Sequence, residues 1–204
     1  MLQSAKIISF LLHPLWMPLI TLIIAFGLDP FLGIHPKAFL FLLSIVLVNI
    51  LVPGITILFM VKRKMISNLE ISERTERWIP FLLVFGYYLL TYVLLRTRAD
   101  HFPIVVNSFF FGLLLSLGLA VIINNFTKIS IHMLAFGGML GSIAALNVVH
   151  YLNQGFVIAI LLLLGAVVAW ARLTLGVHTH RQVYFGFSLG FLIHFYVISY
   201  GVFV

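Results

Sequence analysis

Seven long apolar runs follow one another along this sequence, and they constrain its fold more than any other feature. A helix needs about 20 apolar residues to cross the hydrocarbon core of a bilayer. The runs lie near residues 5–27, 38–61, 79–97, 103–123, 131–150, 155–171 and 183–203. None shows the polar–apolar alternation of a transmembrane β-strand. The sequence predicts an all-α integral membrane protein, a single domain over residues 1–204 with about seven transmembrane helices.

The composition agrees with an exterior that faces lipid. Hydrophobic residues make up 63% of the 204 positions and charged residues only 8%, with a mean hydropathy of +1.20. Twelve Lys and Arg with five Asp and Glu cannot cover a soluble domain of this size. The chain has no cysteine, which excludes disulfides and thiolate chemistry. The first apolar run has no small-residue cleavage site, so we expect a retained helix rather than a signal peptide.

The basic residues are distributed unevenly between the two sides of the predicted bundle. Loops 62–78, 124–130 and 172–182 are separated by two spans each, so they face the same side. That side carries Lys6, Lys62, Arg63, Lys64, Arg74, Arg77, Lys128, Arg172 and Arg181, and the other side carries Lys37, Arg96 and Arg98. The positive-inside rule weakly favours a cytoplasmic location for the first side. Alternatively, several of these cations hold an anion.

The net charge of +7 indicates the class of partner. The cations lie in short loops without the interleaved aromatic residues of a base-stacking surface, so nucleic acid is not the expected partner. Anionic headgroups of membrane lipids or a phosphate-bearing substrate fit better. A homo-oligomer is left open.

The loop before the third span holds the first polar cluster. Glu70 and Arg74 are spaced four apart, as are Glu73 and Arg77, so each pair could form along a helical turn. In that interpretation Trp78 anchors the helix at headgroup depth. In the alternative, Arg74 and Arg77 point into a cleft and bind phosphate oxygens, which suit the guanidinium fork.

The second polar cluster immediately precedes the fifth span. Ser130 is a candidate N-cap, which would leave exposed amides and the positive end of the helix dipole beside it. His132 would lie on the first turn, next to any anion bound there. Lys128 is a further cation in the same loop. An interfacial histidine without a ligand is the alternative.

The third polar cluster joins the last two predicted spans. Arg172 ends one span and His178 precedes the next, with Gly176 able to turn the chain between them. Thr179 and Gln182 have the spacing of a capping box, so Gln182 could serve only as a cap. In the last span, Gly186 and Gly190 are four apart, a spacing that lets helices approach closely.

A few polar residues lie inside predicted spans. His13 and Pro14 predict a kink in the first helix, because proline removes a backbone hydrogen bond. Asn49, Asn147 and His194 are candidates for interhelical hydrogen bonds.

Taken together, Ser130-x-His132 and Arg172-x5-His178, with 39 residues between His132 and Arg172, resemble the motifs of the type 2 phosphatidic-acid phosphatase superfamily. That superfamily also contains lipid-diphosphate phosphatases and vanadium haloperoxidases. Its second motif is Pro-Ser-Gly-His and its third is Ser-Arg-x5-His-x3-Asp, in which Gln182 takes the place of the aspartate. The resemblance covers roughly residues 70–200. It implies a phosphatase-like core at about 70–204 preceded by two extra helices.

The resemblance implies roles for the matching residues. His178 would be the nucleophile that forms a phosphohistidine, and His132 the acid that protonates the leaving group. Gln182 would orient His178. The phosphoryl oxygens would be held by Arg172, Ser130, Arg74, Arg77 and Lys128. No cofactor and no metal is implied. The substrate would be a lipid phosphate or polyprenyl diphosphate, and the expected location is a bacterial inner membrane.

Three departures from the family pattern support an alternative function. The first motif, Lys-x6-Arg-Pro, has no counterpart at the required spacing, and Ile131 replaces the motif glycine. The neutral Gln182 supplies no charge to the imidazole, although Glu73 or Glu76 could do so instead. The alternative is a catalytically impaired member that binds a lipid phosphate or acts as a membrane scaffold. The family's catalytic side usually faces away from the cytoplasm, which conflicts with the charge distribution.

Overall fold

The computed structural model describes residues 1–33, 37–69, 71, 73–97 and 103–201, and every element within these ranges is helical. The helices are α1 (Leu2–Leu11), α2 (Met17–Leu28), α3 (Pro30–Gly33), α4 (Ala38–Ile45), α5 (Val52–Lys62), α6 (Trp78–Thr97), α7 (Ile104–Asn124), α8 (Ile131–Val149), α9 (Gly155–Thr174) and α10 (His180–Tyr200). A π-helical turn, Val46–Leu51, joins α4 to α5, and a 3₁₀ turn, Thr75–Arg77, precedes α6.

Six helical segments in the described ranges are long and apolar enough to cross a membrane. They are Ala38–Lys62, Thr75–Thr97, Ile104–Asn124, Ile131–Val149, Gly155–Thr174 and His180–Tyr200. These six correspond to the last six predicted spans. The chain is therefore a multi-pass integral membrane protein.

The first predicted span is not one continuous helix. α1 ends at Leu11 and α2 begins at Met17, and the break between them contains His13 and Pro14. Pro14 has no N–H to continue the helix, and the imidazole Nδ1 of His13 accepts from the backbone N–H of Leu15 at 3.2 Å. With 10 residues, α1 is about 15 Å long and too short to cross the bilayer alone.

The tightest helix packing is between α8 and α10, where glycines replace side chains. A Cβ atom placed on Gly190 would lie 2.0 Å from the backbone oxygen of Leu134, and one on Gly186 would lie 2.8 Å from that of Ser130. On the facing helix, a Cβ on Gly137 would lie 2.0 Å from the backbone oxygen of Phe187. The two backbones are thus in direct contact. This contact fixes the first turn of α8, which carries His132, against the first half of α10.

The three loops predicted to share a side do meet at one end of the bundle. The Arg74 guanidinium, before α6, donates to the backbone oxygens of Asn124 and Asn125 after α7, at 3.1 and 2.7 Å. At the opposite end the Asp29 carboxylate, after α2, contacts His150 at the end of α8. We call the end that carries Arg74 the loop end of the bundle.

Candidate functional site

The loop end opens into a cavity of about 140 Å³. Four of its polar lining residues come from the three loop-end clusters, namely Arg77, His132, Arg172 and His178. All four are buried. Sequence regions that are about 100 residues apart therefore contribute to one site.

Arg77 is held in place by the backbone of two different loops. Its Nε donates to the backbone oxygen of Ile71 at 2.9 Å, and its Nη1 donates to that of Ile129 at 3.1 Å. Both carbonyls belong to loop segments, where they are not used by a helix. These two bonds leave further donors of the guanidinium fork for an anion in the cavity. They also tie the start of α6 to the loop before α8.

Arg172 reaches the same cavity from the last turn of α9, where a cation is favoured by the helix dipole. The chain then reverses at Gly176, whose φ of +66° lies in the left-handed region that glycine adopts readily. The reversal returns the chain to the cavity, so that His178 faces it from just before α10. The predicted turning role of Gly176 is confirmed.

Gln182 fixes the orientation and tautomer of His178. The amide oxygen Oε1 of Gln182 lies 3.1 Å from His178 Nδ1 and accepts from the backbone N–H of Thr179 at 3.2 Å. The contact with a backbone N–H identifies this atom as the amide oxygen, which can only accept. Nδ1 of the imidazole therefore carries the hydrogen, and Nε2 keeps a lone pair. Gln182 also completes the predicted capping box with Thr179. The same side chain thus caps α10 and contacts His178.

The electrostatic environment keeps His178 neutral near pH 7. The pKa of His178 is lowered from 6.5 to about 4, chiefly by burial. The hydrogen bond to Gln182 raises the pKa, and the charges of Arg172, Arg77 and Lys128 lower it. A neutral imidazole with an unprotonated Nε2 can act as a nucleophile.

His132 lies on the first turn of α8, as predicted, and bonds the last turn of α1. Its Nε2 lies 3.1 Å from the backbone oxygen of Ser9, so Nε2 must carry a hydrogen. Its ring meets that of His13 edge to face, with centroids 5.4 Å apart. Nδ1 is then the atom of His132 that can exchange a proton with a bound ligand.

Three further predicted phosphate ligands lie beside the cavity rather than among its lining residues. Arg74 is exposed and bonds the loop after α7, as described above. Ser130 occupies the N-cap position of α8, but its side chain makes no capping bond, and Oγ is buried without a hydrogen-bond partner among the described residues. Lys128 is half-buried, and burial followed by the charge of Arg77 lowers its pKa.

Glu76 and Glu73 do not make the contacts with His178 and Arg77 that the sequence predicts. Glu76 accepts from both the backbone N–H and the hydroxyl of Ser67, each at 2.8 Å, and the structure gives His178 no carboxylate partner among the described residues. Arg77 bonds carbonyls rather than Glu73. The Glu70–Arg74 pair falls outside the described residues, because Glu70 is not among them.

Several lining residues were not assigned to a site from the sequence. They are Tyr88, Ser116 and His194, and His13 of the predicted kink lines the cavity as well. His194 was expected to make an interhelical hydrogen bond, and it does, with Ser142 at 3.1 Å. Asn49 likewise bonds Thr91 across two helices at 2.9 Å. The sequence held no signal that His194 also borders the cavity.

The rest of the cavity is apolar and runs down between the helices. Its walls include Phe81 and Val84 of α6, Leu113 and Leu117 of α7, and Ala135 of α8. They lie about one to three helical turns from the loop ends of their helices. The site thus combines a head that carries two arginines and two histidines with an apolar body between the helices.

Within the described ranges, no group of three or more His, Asp or Glu side chains is arranged to hold a metal ion. No family model, no curated protein and no solved structure matches this chain.

Proposed function

We propose that this protein is a membrane phosphatase that hydrolyses a lipid phosphate or diphosphate through a phosphohistidine. The observation that carries the proposal is the convergence of Arg77, Arg172, His132 and His178 on the polar head of a cavity whose body is apolar. This arrangement suits an amphiphile with a phosphate at one end. The motif resemblance of residues 130–182 points to the same chemistry.

In the first step, Nε2 of His178 attacks phosphorus. The new N–P bond forms as the bond from phosphorus to the lipid oxygen breaks. The phosphate monoanion gives its proton to Nδ1 of His132 on binding, and His132 passes that proton to the departing oxygen, so that it ends the step neutral. Arg77 and Arg172 hold the phosphoryl oxygens, on which charge is concentrated. Positioning and charge stabilisation dominate phosphoryl transfer, so these residues supply what the reaction needs.

In the second step, water attacks phosphorus, the N–P bond breaks and His132 takes the proton from the water. His178 returns to its neutral form and phosphate leaves. During the intermediate the imidazole carries a positive charge, which Gln182 meets with a dipole instead of a full negative charge. In a serine-protease triad, the analogous exchange of Asp for Asn lowers turnover about 10⁴-fold. We therefore expect slow turnover.

The alternative function is a protein that binds a lipid phosphate without turning it over. The observation that favours it is Gln182 as the partner of His178. Both functions use the same cavity, and both are compatible with a bacterial inner membrane as the location.

The deciding experiment is phosphate release by the purified protein in detergent. The lipids are phosphatidic acid, phosphatidylglycerol phosphate and polyprenyl diphosphates. We expect release that His178→Ala abolishes, a loss of at least about 10³-fold, since residual catalysis comes only from binding and charge. The matched control is His180→Ala, which removes an exposed imidazole two residues away that does not line the cavity.

Two results would contradict the phosphatase. One is release that is unaffected by His178→Ala. The other is binding of these lipids by the wild-type protein with no release from any of them, which would favour the binding function.

A further inference from the structure

Three consecutive cations, Lys62, Arg63 and Lys64, end α5 at the loop end of the bundle, and all three side chains are exposed. We call them the basic turn. Within the described ranges, none of the three forms an ion pair with a carboxylate. Glu76, on the loop that follows, instead accepts from the backbone N–H and the hydroxyl of Ser67. The basic turn therefore presents its positive charge to the surroundings at the end of a membrane-spanning segment.

The backbone of the basic turn is fixed by two hydrogen bonds. The N–H of Lys64 donates to the backbone oxygen of Val61 at 3.0 Å, and that of Met65 donates to the backbone oxygen of Met60 at 2.9 Å. These bonds form a Schellman motif, in which the residue after the helix adopts a left-handed conformation and is usually glycine. Here that residue is Lys64, with a φ of +58°. A cation thus stands where glycine would be less strained, and strain of this kind is a reason to look for a function.

Arg63 lies at the boundary between the polar and apolar surfaces of α5. Its guanidinium carbon is 5.1 Å from the centroid of the Phe59 ring, which is a cation–π contact. Phe59 is exposed on a helix that leaves most of its apolar surface to lipid. The contact therefore holds the charge of Arg63 beside a lipid-facing ring, at the depth where headgroups meet the hydrocarbon.

The basic turn belongs to a unit that also forms a wall of the cavity. Ile66 and Ile71 of the following loop pack on Met60 in a small apolar cluster, which holds the loop against α5. Ile57, which packs against this cluster, lines the cavity together with Ile71 and Leu69. Leu69 is 52% exposed, so the lining of the cavity reaches the surface on this loop. Only residues 65–68 separate the basic turn from this border of the cavity.

We infer that the basic turn binds the anionic headgroup of a membrane lipid beside the cavity. Phosphate oxygens suit both ammonium and guanidinium donors. The acyl chains of such a lipid would lie along the exposed apolar side chains of α5. This lipid stays in the bilayer, whereas the cavity takes the lipid that reacts. The inference does not rest on the proposed function, because it uses none of the four polar residues of the cavity head.

Trp78 can report this binding by its fluorescence. α5 and α6 are joined by a hydrogen bond between the hydroxyls of Thr56 and Tyr87, at 3.1 Å. Towards the loop end, Lys62 lies six residues from Thr56, about 9 Å, and Trp78 lies nine residues from Tyr87, about 14 Å. The basic turn and Trp78 are therefore at similar levels on neighbouring helices, and the Trp78 side chain is exposed.

The test uses the full-length protein with Trp78 as its single tryptophan (Trp16→Phe and Trp170→Phe), in bilayers that mix phosphatidylglycerol with phosphatidylcholine. One of the two lipids carries bromine on its acyl chains, so that quenching of Trp78 measures how often that lipid lies next to it. We expect phosphatidylglycerol to be preferred by about fivefold, the value of one cation near an anionic surface. Phosphatidylglycerol is a phosphodiester, so this readout is independent of phosphate release from a monoester or diphosphate.

The variant Lys62→Gln/Arg63→Gln/Lys64→Gly removes the three charges and places glycine at the left-handed position. Its thermal unfolding temperature should equal or exceed that of the parent protein, because glycine adopts this conformation without strain. Its preference for phosphatidylglycerol should fall below about twofold. The matched control is Lys6→Gln/Arg181→Gln, which removes two exposed cations carried by α1 and α10. The control should keep most of the preference.

Three results would overturn the inference. The first is equal quenching by the two brominated lipids in the parent protein, and the second is a preference that survives in the triple variant. The third is an equal loss of preference in the control, which would assign the preference to the charge of the whole loop end.

Phosphate release is measured in parallel so that the two proposals fail separately. Release that depends on His178, without a preference for phosphatidylglycerol, would keep the phosphatase and reject the lipid site. A preference that depends on the basic turn, without release from any lipid, would reject the phosphatase and keep the lipid site.

Discussion

The central helix α8 and two outer helical segments differ in how much of their surface is buried by the rest of the protein. In α8, 72% of the most apolar stretch is buried, whereas in Ala38–Lys62 and in Gly155–Thr174 the share is 28%. α8 is packed on several sides and carries small and polar residues, including His132 and the glycines that face α10. The other two segments present large apolar side chains to lipid. The buried helix α8 contributes several residues to the lining of the cavity, whereas the two outer segments contribute one each, Ile57 and Arg172.

The largest effect should follow from disturbing the α8–α10 contact. Gly190→Ala places a Cβ atom 2.0 Å from the backbone oxygen of Leu134, so the helices must separate. We expect a loss of about 3 kcal/mol in the free energy of unfolding, at the upper end for overpacking, and a loss of lipid binding.

The control for this comparison is Gly86→Ala in α6, where nothing lies within 4 Å of the added Cβ. It should raise stability by about 0.5–1 kcal/mol, because alanine is the better helix former. Thermal unfolding in detergent measures both. Equal effects of the two substitutions would show that α8 and α10 are not in backbone contact.

A second prediction separates the two arginines that precede α6. Arg77→Ala removes a buried guanidinium that lines the cavity, and we expect kcat/KM to fall by about 10–100-fold, the value of a hydrogen bond to a charged group. Arg74→Ala removes only bonds to the loop after α7 and should change kcat/KM by less than about threefold. Competition by inorganic phosphate for the lipid provides a second measure. A larger effect of Arg74→Ala would place the phosphate elsewhere.

The third prediction concerns Gln182. Gln182→Glu keeps the capping-box geometry and adds a negative charge beside Nδ1 of His178. We expect kcat to rise by about tenfold or more, because the charge stabilises the imidazolium of the intermediate. Gln154→Glu, at the opposite end of the bundle, is the control and should have no effect.

The Gln182→Glu variant should also change how kcat/KM depends on pH. In the wild-type protein, kcat/KM should fall with decreasing pH as His178 becomes protonated near its pKa of about 4. A carboxylate next to the ring raises that pKa, so in Gln182→Glu the acid limb should move to higher pH. An acid limb that does not move would show that His178 is not the titrating nucleophile.

The candidate site could be predicted in part because its residues occur in local motifs. Arg172, Gly176 and His178 were recognisable by their spacing around one turn, and Gln182 by its capping position. Arg77 and Arg74 were not distinguishable, because they lie three positions apart on one loop and only the neighbouring carbonyls decide which of the two faces the cavity. Ser116 and His194 were also not predicted to line the cavity, since they stand alone in apolar runs.

The sequence by itself determined the membrane class, seven apolar runs of which six are long helices, and the side on which the three polar loops meet, because apolar length and the alternation of span direction are properties of the linear chain. The tertiary structure alone decided which cations face the cavity and that the predicted kink at His13 and Pro14 is a complete break between two helices. The orientation of Arg77, for example, depends on the carbonyls of Ile71 and Ile129, and such contacts are made between residues far apart in the chain.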